Sequence, residues 1–196
     1  MLSLSNSVLK INSSATITMS ALANRLRSEG KDIISLSAGE PDFGTPEHVK
    51  EAAIEAIKAG ETKYTNPDGM PELKEAISQK FVTENNLKYE PSQISVGTGG
   101  KQIIYNALMA TLNPEDEVII PAPYWVSYPD MVKLAGGIPK IIKTASRNNY
   151  KVQPNDLRAS LTENTKWLIF NSPSNPTGAA YTFKELKMLT DVLLEF

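Results

Sequence analysis

The chain has 196 residues, with 20 Lys and Arg against 22 Asp and Glu for a formal net charge of -2, and 41% of its residues are hydrophobic. This composition suits one packed domain or part of a larger one, and the near-neutral charge argues against the dedicated basic surface of nucleic-acid-binding proteins. Because there is no cysteine and His48 is the single histidine, disulfides, thiol nucleophiles and Cys-ligated metals are excluded. Any chemistry then falls to carboxylates, Lys, Tyr, backbone amides or a cofactor.

The beginning of the chain is polar and mixed in character. No apolar run in its first 30 residues is long enough for a signal peptide or a membrane span. We therefore expect a cytoplasmic protein with no membrane partner. The first predicted helix lies around Met19–Arg27, and His48 is expected at the surface.

Two amphipathic helices are predicted next. Thr45 is a suitable N-cap for the first of them, Pro46 suits its first helical position, and Gly60 ends it. The second helix runs from about Pro71 to Asn85, where apolar residues recur at helical spacing. The segment between the helices, KYTNPDGMP, is a loop by its Asn, Pro, Asp and Gly content.

The second half of the chain alternates between predicted strands and helices. The predicted strands are Ile94–Val96, Val118–Ile120, Ile138–Ile142 and Trp167–Phe170. This rhythm predicts an α/β fold with a mostly parallel sheet and flanking helices. Ligands bind such sheets at the carboxyl ends of the strands, and loops rich in Gly, Pro and Asn follow three of these strands, at 97–101, 121–125 and 171–178.

The last predicted helix has a clear start and no clear end. Thr182 and Glu185 have the spacing of a capping box. The apolar pattern then runs to Phe196 without the Gly or Pro that usually ends a helix. We therefore expect a fragment cut inside a domain, and the alternative is a helix that ends the protein naturally.

The loop GTGGK at 97–101 is a candidate anion site. Glycines let backbone amides approach a phosphate, and the N-terminus of the following helix favours negative charge. The loop is neither a Walker A motif, because Gln102 follows Lys101, nor a dinucleotide fingerprint. A plain tight turn between strand and helix is the alternative. Lys101 could bind a phosphate, bind a substrate carboxylate or be solvated.

Single residues in the other loops also have two interpretations. Trp125 could stack on a planar ring or belong to the core. Asn175 could be a ligand or part of a plain loop, and Tyr64 could donate to a phosphate or be an ordinary loop aromatic. Gly39 lies where only a small residue would let another group come close.

Taken in order, the loops resemble those of the class I aminotransferases that use pyridoxal phosphate, and in particular their bacterial aspartate aminotransferase branch, some members of which also accept prephenate. The matching segments are SAGEPDF at 37–43, KYTNPDG at 63–69, GTGGKQ at 97–102, PAPYWVSYP at 121–129 and NSPSNPTG at 171–178. The resemblance implies the first half of the large domain of pyridoxal-phosphate transferases of fold type I. On this basis residues 1–45 would be an N-terminal arm with part of the small domain, and 46–196 the truncated first part of the cofactor-binding domain.

The resemblance also implies roles for particular residues. The cofactor-binding residues would be Tyr64, Gly99, Gly100, Lys101, Trp125 and Asn175, with Tyr64 reaching the phosphate of a partner subunit in a homodimer. The substrate-binding residues would be Gly39, Lys101, Trp125, Asn175, Ser14 and Thr16, of which Lys101, Ser14 and Thr16 would recognise the distal carboxylate. Cis peptide bonds are expected before Pro123 and Pro176.

The activity implied is transfer of an amino group between aspartate and a 2-oxo acid such as 2-oxoglutarate. The Schiff-base lysine of the family would lie beyond residue 196, so this chain would hold no catalytic residue and would be inactive alone. Two alternatives are a non-catalytic remnant that only binds a partner or a phosphate ligand, and an aminotransferase of the same fold that acts on another amino acid.

Overall fold

The computed structural model describes residues 3–11, 13–37 and 39–196. The chain divides into two compact units, of which the first holds the residues up to Ile33 and from Ile104 onward, and the second holds Ile34–Ile103. The domain boundary expected near residue 45 concerns the whole protein and stays a prediction.

The described residues contain eight α-helices and three strands, with short 3-10 turns at Pro91–Gln93 and Ser146–Asn148. The helices are α1 (Asn6–Leu9), α2 (Ala15–Ser28), α3 (Glu47–Lys58), α4 (Pro71–Asn85), α5 (Gly100–Thr111), α6 (Ser127–Leu134), α7 (Pro154–Ser160) and α8 (Phe183–Leu194). The strands are β1 (Glu117–Ala122), β2 (Ile138–Lys143) and β3 (Thr165–Leu168).

The three strands form a parallel sheet in the order β2-β1-β3. Glu117 pairs with Ile138 on one side of β1 and with Thr165 on the other side. The chain therefore leaves the central strand for β2, and then crosses to the opposite edge to form β3. Each crossing contains a helix, as parallel pairing requires.

Alternate residues of β1 enter two different apolar clusters. Val118 and Ile120 pack with Leu108 and with α6, whereas Ile119 packs with Leu157 of α7 and with α8. Val118, Ile119 and Ile120 are all fully buried. Because successive side chains of a strand point to opposite faces, helices must cover both faces of the sheet. This arrangement confirms the predicted α/β class.

Most of the predicted elements form, with shifts at several ends. Helix α3 begins at Glu47, and its N-cap is Pro46, whose carbonyl accepts the N–H groups of Val49 and Lys50 at 3.0 and 3.2 Å. The predicted N-cap at Thr45 is therefore wrong by one residue. Gly60 follows the end of this helix with φ +82°, as predicted.

Two predicted strands differ from the structure. Ile94–Val96 is not a strand, because the N–H of Val96 bonds only the carbonyl of Asp68, at 2.9 Å, and no ladder extends from this bond. The third strand lies at Thr165–Leu168, earlier than predicted, and a register irregularity beside Val118 accompanies it. The loop at 97–101 consequently follows an irregular segment.

The start of α8 is held by a carboxylate with several donors. The N–H of Thr182 donates to Glu185 Oε2 at 2.7 Å, and Lys151 Nζ lies 2.9 Å from both carboxylate oxygens. The capping box is thereby confirmed. These bonds lower the pKa of Glu185 from 4.5 to about 2, and the bond from the Thr182 N–H has the largest effect.

The Glu185 carboxylate makes the stability of the protein depend on pH in the acid range. A carboxyl group with a depressed pKa stabilises the fold fully above its ordinary pKa, and the contribution is lost as the pH falls through the lowered value. Replacing Glu185 with Gln should flatten the decline in thermal stability of the full-length protein between pH 4.5 and about 2. Exposed Glu163, changed to Gln, is the control. An unchanged pH slope for the Glu185 variant would contradict this prediction.

Candidate functional site

The point where the strand order reverses lies at the carboxyl end of β1. The loop after β1 begins at Pro123, and the loop after β3 runs over 169–178. Because β1 and β3 are adjacent and parallel, both loops leave the sheet on the same side, at the carboxyl ends of the strands. Ligands of open α/β sheets bind at such a reversal.

A small cleft separates the two loops. Tyr124 and Tyr128 line one side of it, and Asn171, Asn175 and Tyr181 are among the residues that line the other. The cleft encloses about 20 Å³, which is room for about one water molecule. This volume is too small for an organic ligand.

The loop after β1 presents an indole. Trp125 is half-buried, and its ring meets the ring of Tyr128 edge-on, with centroids 5.4 Å apart and planes at 87°. Trp125 also packs against the cluster beneath α6. The indole is therefore held rigidly and stays accessible in part. The bond between Ala122 and Pro123 is cis, as predicted.

The loop after β3 is closed by its own hydrogen bonds. The N–H of Asn175 donates to Asn171 Oδ1 at 2.8 Å, and the N–H of Gly178 donates to the Ser174 carbonyl at 2.7 Å. The bond before Pro176 is cis, as predicted, and a further cis bond before Pro173 was not predicted. Asn175 itself is exposed, so its side-chain amide is presented on a fixed turn.

Tyr181 anchors this loop, and the sequence interpretation missed it. Its hydroxyl accepts the N–H of Val152 at 2.7 Å, its own N–H donates to Ser172 Oγ at 3.1 Å, and its ring lies 4.8 Å from that of Phe170. Burial raises the pKa of the Tyr181 hydroxyl. The available signal was its place before the capping box at Thr182, where an apolar residue commonly packs.

The glycine-rich loop lies in the second unit. Gly99 has φ +86°, and a Cβ built on Gly99 or Gly100 would meet nothing within 4 Å. The Gln102 side chain accepts the N–H of Thr98, and the N–H of Gln102 donates to the Gly99 carbonyl at 3.1 Å. The first N–H groups of a helix lack intrahelical acceptors, so this open start of α5 suits an anion. Lys101 is exposed in the same turn.

The other predicted site residues have simpler surroundings. Tyr64 is fully exposed, and a Cβ at Gly39 would meet nothing within 4 Å; both belong to the second unit. Ser14 is the N-cap of α2 in the first unit, where its Oγ accepts the N–H of Ile17 at 3.5 Å. Thr16 lies in the first turn of that helix and is half-buried. Trp125 and Asn175 thus share one edge of the sheet, and Gly99, Gly100 and Lys101 share one turn.

Two further features bear on function. Within residues 3–11, 13–37 and 39–196, no helix is long and apolar enough to cross a membrane. In the same described ranges, no group of three or more His, Asp or Glu side chains could hold a metal ion. His48 is exposed, as predicted.

Comparison with known proteins identifies relatives across the chain. The profile of aminotransferase class I and II matches residues 31–196. An aspartate/prephenate aminotransferase of Cereibacter sphaeroides is 59% identical over 191 residues, which cover 97% of this chain and 48% of that protein.

Solved structures agree with the sequence relatives. The aspartate aminotransferase of Rhizobium meliloti has a TM-score of 0.96 and 48% identity and matches all of this chain and 49% of its own. That of Thermus thermophilus with maleate has a TM-score of 0.95 and 47% identity, again over all of this chain and 51% of its own. The chain spans about half the length of the curated relatives it matches. It belongs to the class I and II aminotransferase family.

Proposed function

We propose that the full-length protein is a pyridoxal-phosphate-dependent aminotransferase that moves an amino group between aspartate and a 2-oxo acid such as 2-oxoglutarate. The observation that carries the proposal is the likeness of the whole chain to half of two aspartate aminotransferase structures, at TM-scores of 0.96 and 0.95. The paired loops that present Trp125 and Asn175 at one edge of the sheet support it from the residues themselves.

The start of α5 fits the phosphate of this cofactor. Gly99 and Gly100 have no side chains to block their amides, and the surrounding space is open. A helix N-terminus contributes partial positive charge, which a phosphate dianion needs once it leaves water. We assign the phosphate to the N–H groups at the start of α5, from Gly100 onward, with the Lys101 side chain beside them. The N–H of Gly99 donates to the Gly97 carbonyl at 2.9 Å, so the expected role of Gly99 as a direct ligand is corrected: it shapes the turn that presents these groups.

The loops of the first unit fit the pyridine ring. The edge-on contact with Tyr128 fixes the plane of Trp125, so the indole can stack on a flat ring without first losing conformational freedom. Asn175 supplies an amide that donates to the phenolic oxygen of the ring. When bound, the cofactor supplies an electron sink for the substrate carbanion, and the residues of this chain orient it and tune its charge.

The proposed substrate carries two carboxylates. Maleate, found with the Thermus thermophilus relative, is a dicarboxylate like aspartate, and this supports a site for a second negative charge. Lys101 would bind the distal carboxylate with Ser14 and Thr16, because a desolvated carboxylate needs charged or hydroxyl donors. The Ser14 hydroxyl accepts a bond from the N–H of Ile17 and keeps its own proton to donate. Gly39 and Asn175 would flank the α-carboxylate.

A second copy of the chain completes the proposal. Tyr64 is fully exposed, and we assign it to the cofactor phosphate of a partner subunit in a homodimer. A cytoplasmic location belongs to the same proposal. The Cereibacter sphaeroides relative is an aspartate/prephenate aminotransferase by name, so prephenate, another dicarboxylate, is a second acceptor to test.

Two alternative functions can be distinguished from this one by experiment. An aminotransferase for another amino acid would share the fold and prefer a donor other than aspartate. A non-catalytic remnant would lack the Schiff-base lysine, so a reading frame that continues past residue 196 into a Ser-Lys block supports the enzyme, and an early stop supports the remnant.

The direct test uses the purified full-length protein with pyridoxal 5'-phosphate. We expect a visible absorption band that depends on pH, and glutamate formation from aspartate and 2-oxoglutarate. Parallel reactions with alanine or an aromatic amino acid as the donor, and with prephenate as the acceptor, define the substrate class. A protein that neither binds the cofactor nor forms glutamate would overturn the proposal.

A further inference from the structure

Lys74 is an unusual lysine. In the parts of the chain that the structure describes, it is the one buried charged residue, with 11% of its side chain exposed. It lies in the first turns of α4, and its Nζ donates to the carboxylate of Asp68. This bond lowers the pKa of Asp68. Burial of a lysine costs free energy that pairing only roughly offsets, so stability alone is a weak reason for it.

Asp68 connects two segments of the second unit. Its carboxylate meets Lys74, and its backbone carbonyl accepts the N–H of Val96 at 2.9 Å. Gly69 follows with φ +112°, and a Cβ there would lie 2.7 Å from Val96 Cγ2 and 3.7 Å from Lys74 Cδ. The close approach of these segments therefore requires glycine at 69.

The two segments joined in this way lead directly to proposed phosphate ligands. Tyr64 lies in the same loop as Asp68 and shortly before it, and the Gly97–Gly100 loop begins immediately after Val96. A shift of Asp68 would move both. Phosphate recognition by backbone amides depends on their exact direction. The Lys74–Asp68 pair can therefore matter for function, by fixing the orientation of the loop, even where it adds little to the stability of the fold.

We propose that Lys74 and Asp68 form a clamp that positions the glycine-rich loop and the Tyr64 loop for the cofactor phosphate. This inference rests on the proposed function and adds to it two positioning residues that do not touch the cofactor. One clamp then serves two sites, because the glycine-rich loop binds the phosphate of its own subunit and Tyr64 that of the partner subunit.

The test compares two probes on the full-length protein freed of cofactor. Pyridoxal 5'-phosphate and pyridoxal differ only in the phosphate, so the ratio of their dissociation constants measures phosphate recognition. Lys74→Met should raise the dissociation constant of the phosphorylated probe about tenfold or more, the loss expected when a bond to a charged group is misaligned, and should change that of pyridoxal much less. Lys74→Arg, which keeps the charge, should restore most of the ratio.

Lys80→Met is the matched control, because Lys80 lies on the same helix, is exposed and pairs with Glu84. It should leave the ratio unchanged. Should Lys74→Met fail to fold, Asp68→Asn removes the charge of the partner and keeps an acceptor, with the same direction expected. Equal weakening of both probes, or an unchanged ratio in both clamp variants, would overturn the clamp. Absence of any phosphate preference in the unchanged protein would instead overturn the proposed function.

Discussion

Replacing Gly99 with valine is expected to weaken binding of pyridoxal 5'-phosphate by the full-length protein by about tenfold to a hundredfold. Gly99 has φ +86°, and a side chain in the left-handed region costs about 1–2 kcal/mol. A backbone that relaxes to avoid this cost turns the N–H groups at the start of α5 away from the phosphate, and loss of one bond to a charged group costs about 1.5–3 kcal/mol of binding free energy. Titration of cofactor into the apoprotein, followed by fluorescence, measures the change.

Gly136 provides the matched control for this variant. It has φ +90°, and a Cβ built on it would also meet nothing within 4 Å. It follows the end of α6 and precedes the start of β2, at the edge of the sheet away from the carboxyl ends of the strands. Gly136→Val should therefore lower thermal stability and leave cofactor affinity unchanged. Similar affinity losses in both variants would mean that backbone strain alone, not phosphate recognition, explains the result.

Replacing Lys101 with alanine is expected to lower kcat/KM for aspartate by about tenfold to a hundredfold while changing that for alanine little. Lys101 is exposed in the first turn of α5, where a substrate carboxylate entering the site would meet its ammonium group. Aspartate loses a charged partner in the variant, whereas alanine has no distal carboxylate to lose one. Steady-state rates with the two amino donors and a common 2-oxo acid give the comparison.

The same variant separates the two roles assigned to Lys101. Lys88→Ala is its control, because Lys88 is 84% exposed and its ion pair with Glu90 spans 3.6 Å. This control should leave the rates with both amino donors unchanged. Equal losses on aspartate and alanine would remove the claim of dicarboxylate specificity. A weaker affinity for pyridoxal 5'-phosphate in Lys101→Ala would assign the side chain to the cofactor phosphate as well.

Local signals predicted the helices well because the determinants of a helix are near one another in sequence. Pro71 at the first position of α4, Gly60 after α3 and the Thr182–Glu185 capping box all appear where the sequence indicated. Strands depend on partners elsewhere in the chain. The segment Ile94–Val96 therefore gave a false strand, since nothing local shows that the N–H of Val96 bonds only the Asp68 carbonyl.

The candidate site divides in the same way. The alternation of strands and helices placed the loops of Trp125 and Asn175 at one edge of the sheet, and the resemblance to a family supplied their roles. Supporting residues were not predictable. A lysine on a helix is ordinarily solvated, and the burial of Lys74 goes with its ion pair to Asp68, a residue of the preceding loop that no helical periodicity connects to it. Tyr181 likewise acts through a distant backbone group, the N–H of Val152.

The central position of β1 has a consequence for synthesis. Translation delivers β1 first, yet one of its neighbours, β3, is made only after β2 and α7. Until then β1 has an unpaired backbone edge on the growing polypeptide, and the side chain of Ile119 lacks the cover of α7 and α8, which follow later in the chain. Such segments are prone to intermolecular association, so the ribosome-bound intermediate, rather than the finished molecule, is the form most in need of a chaperone.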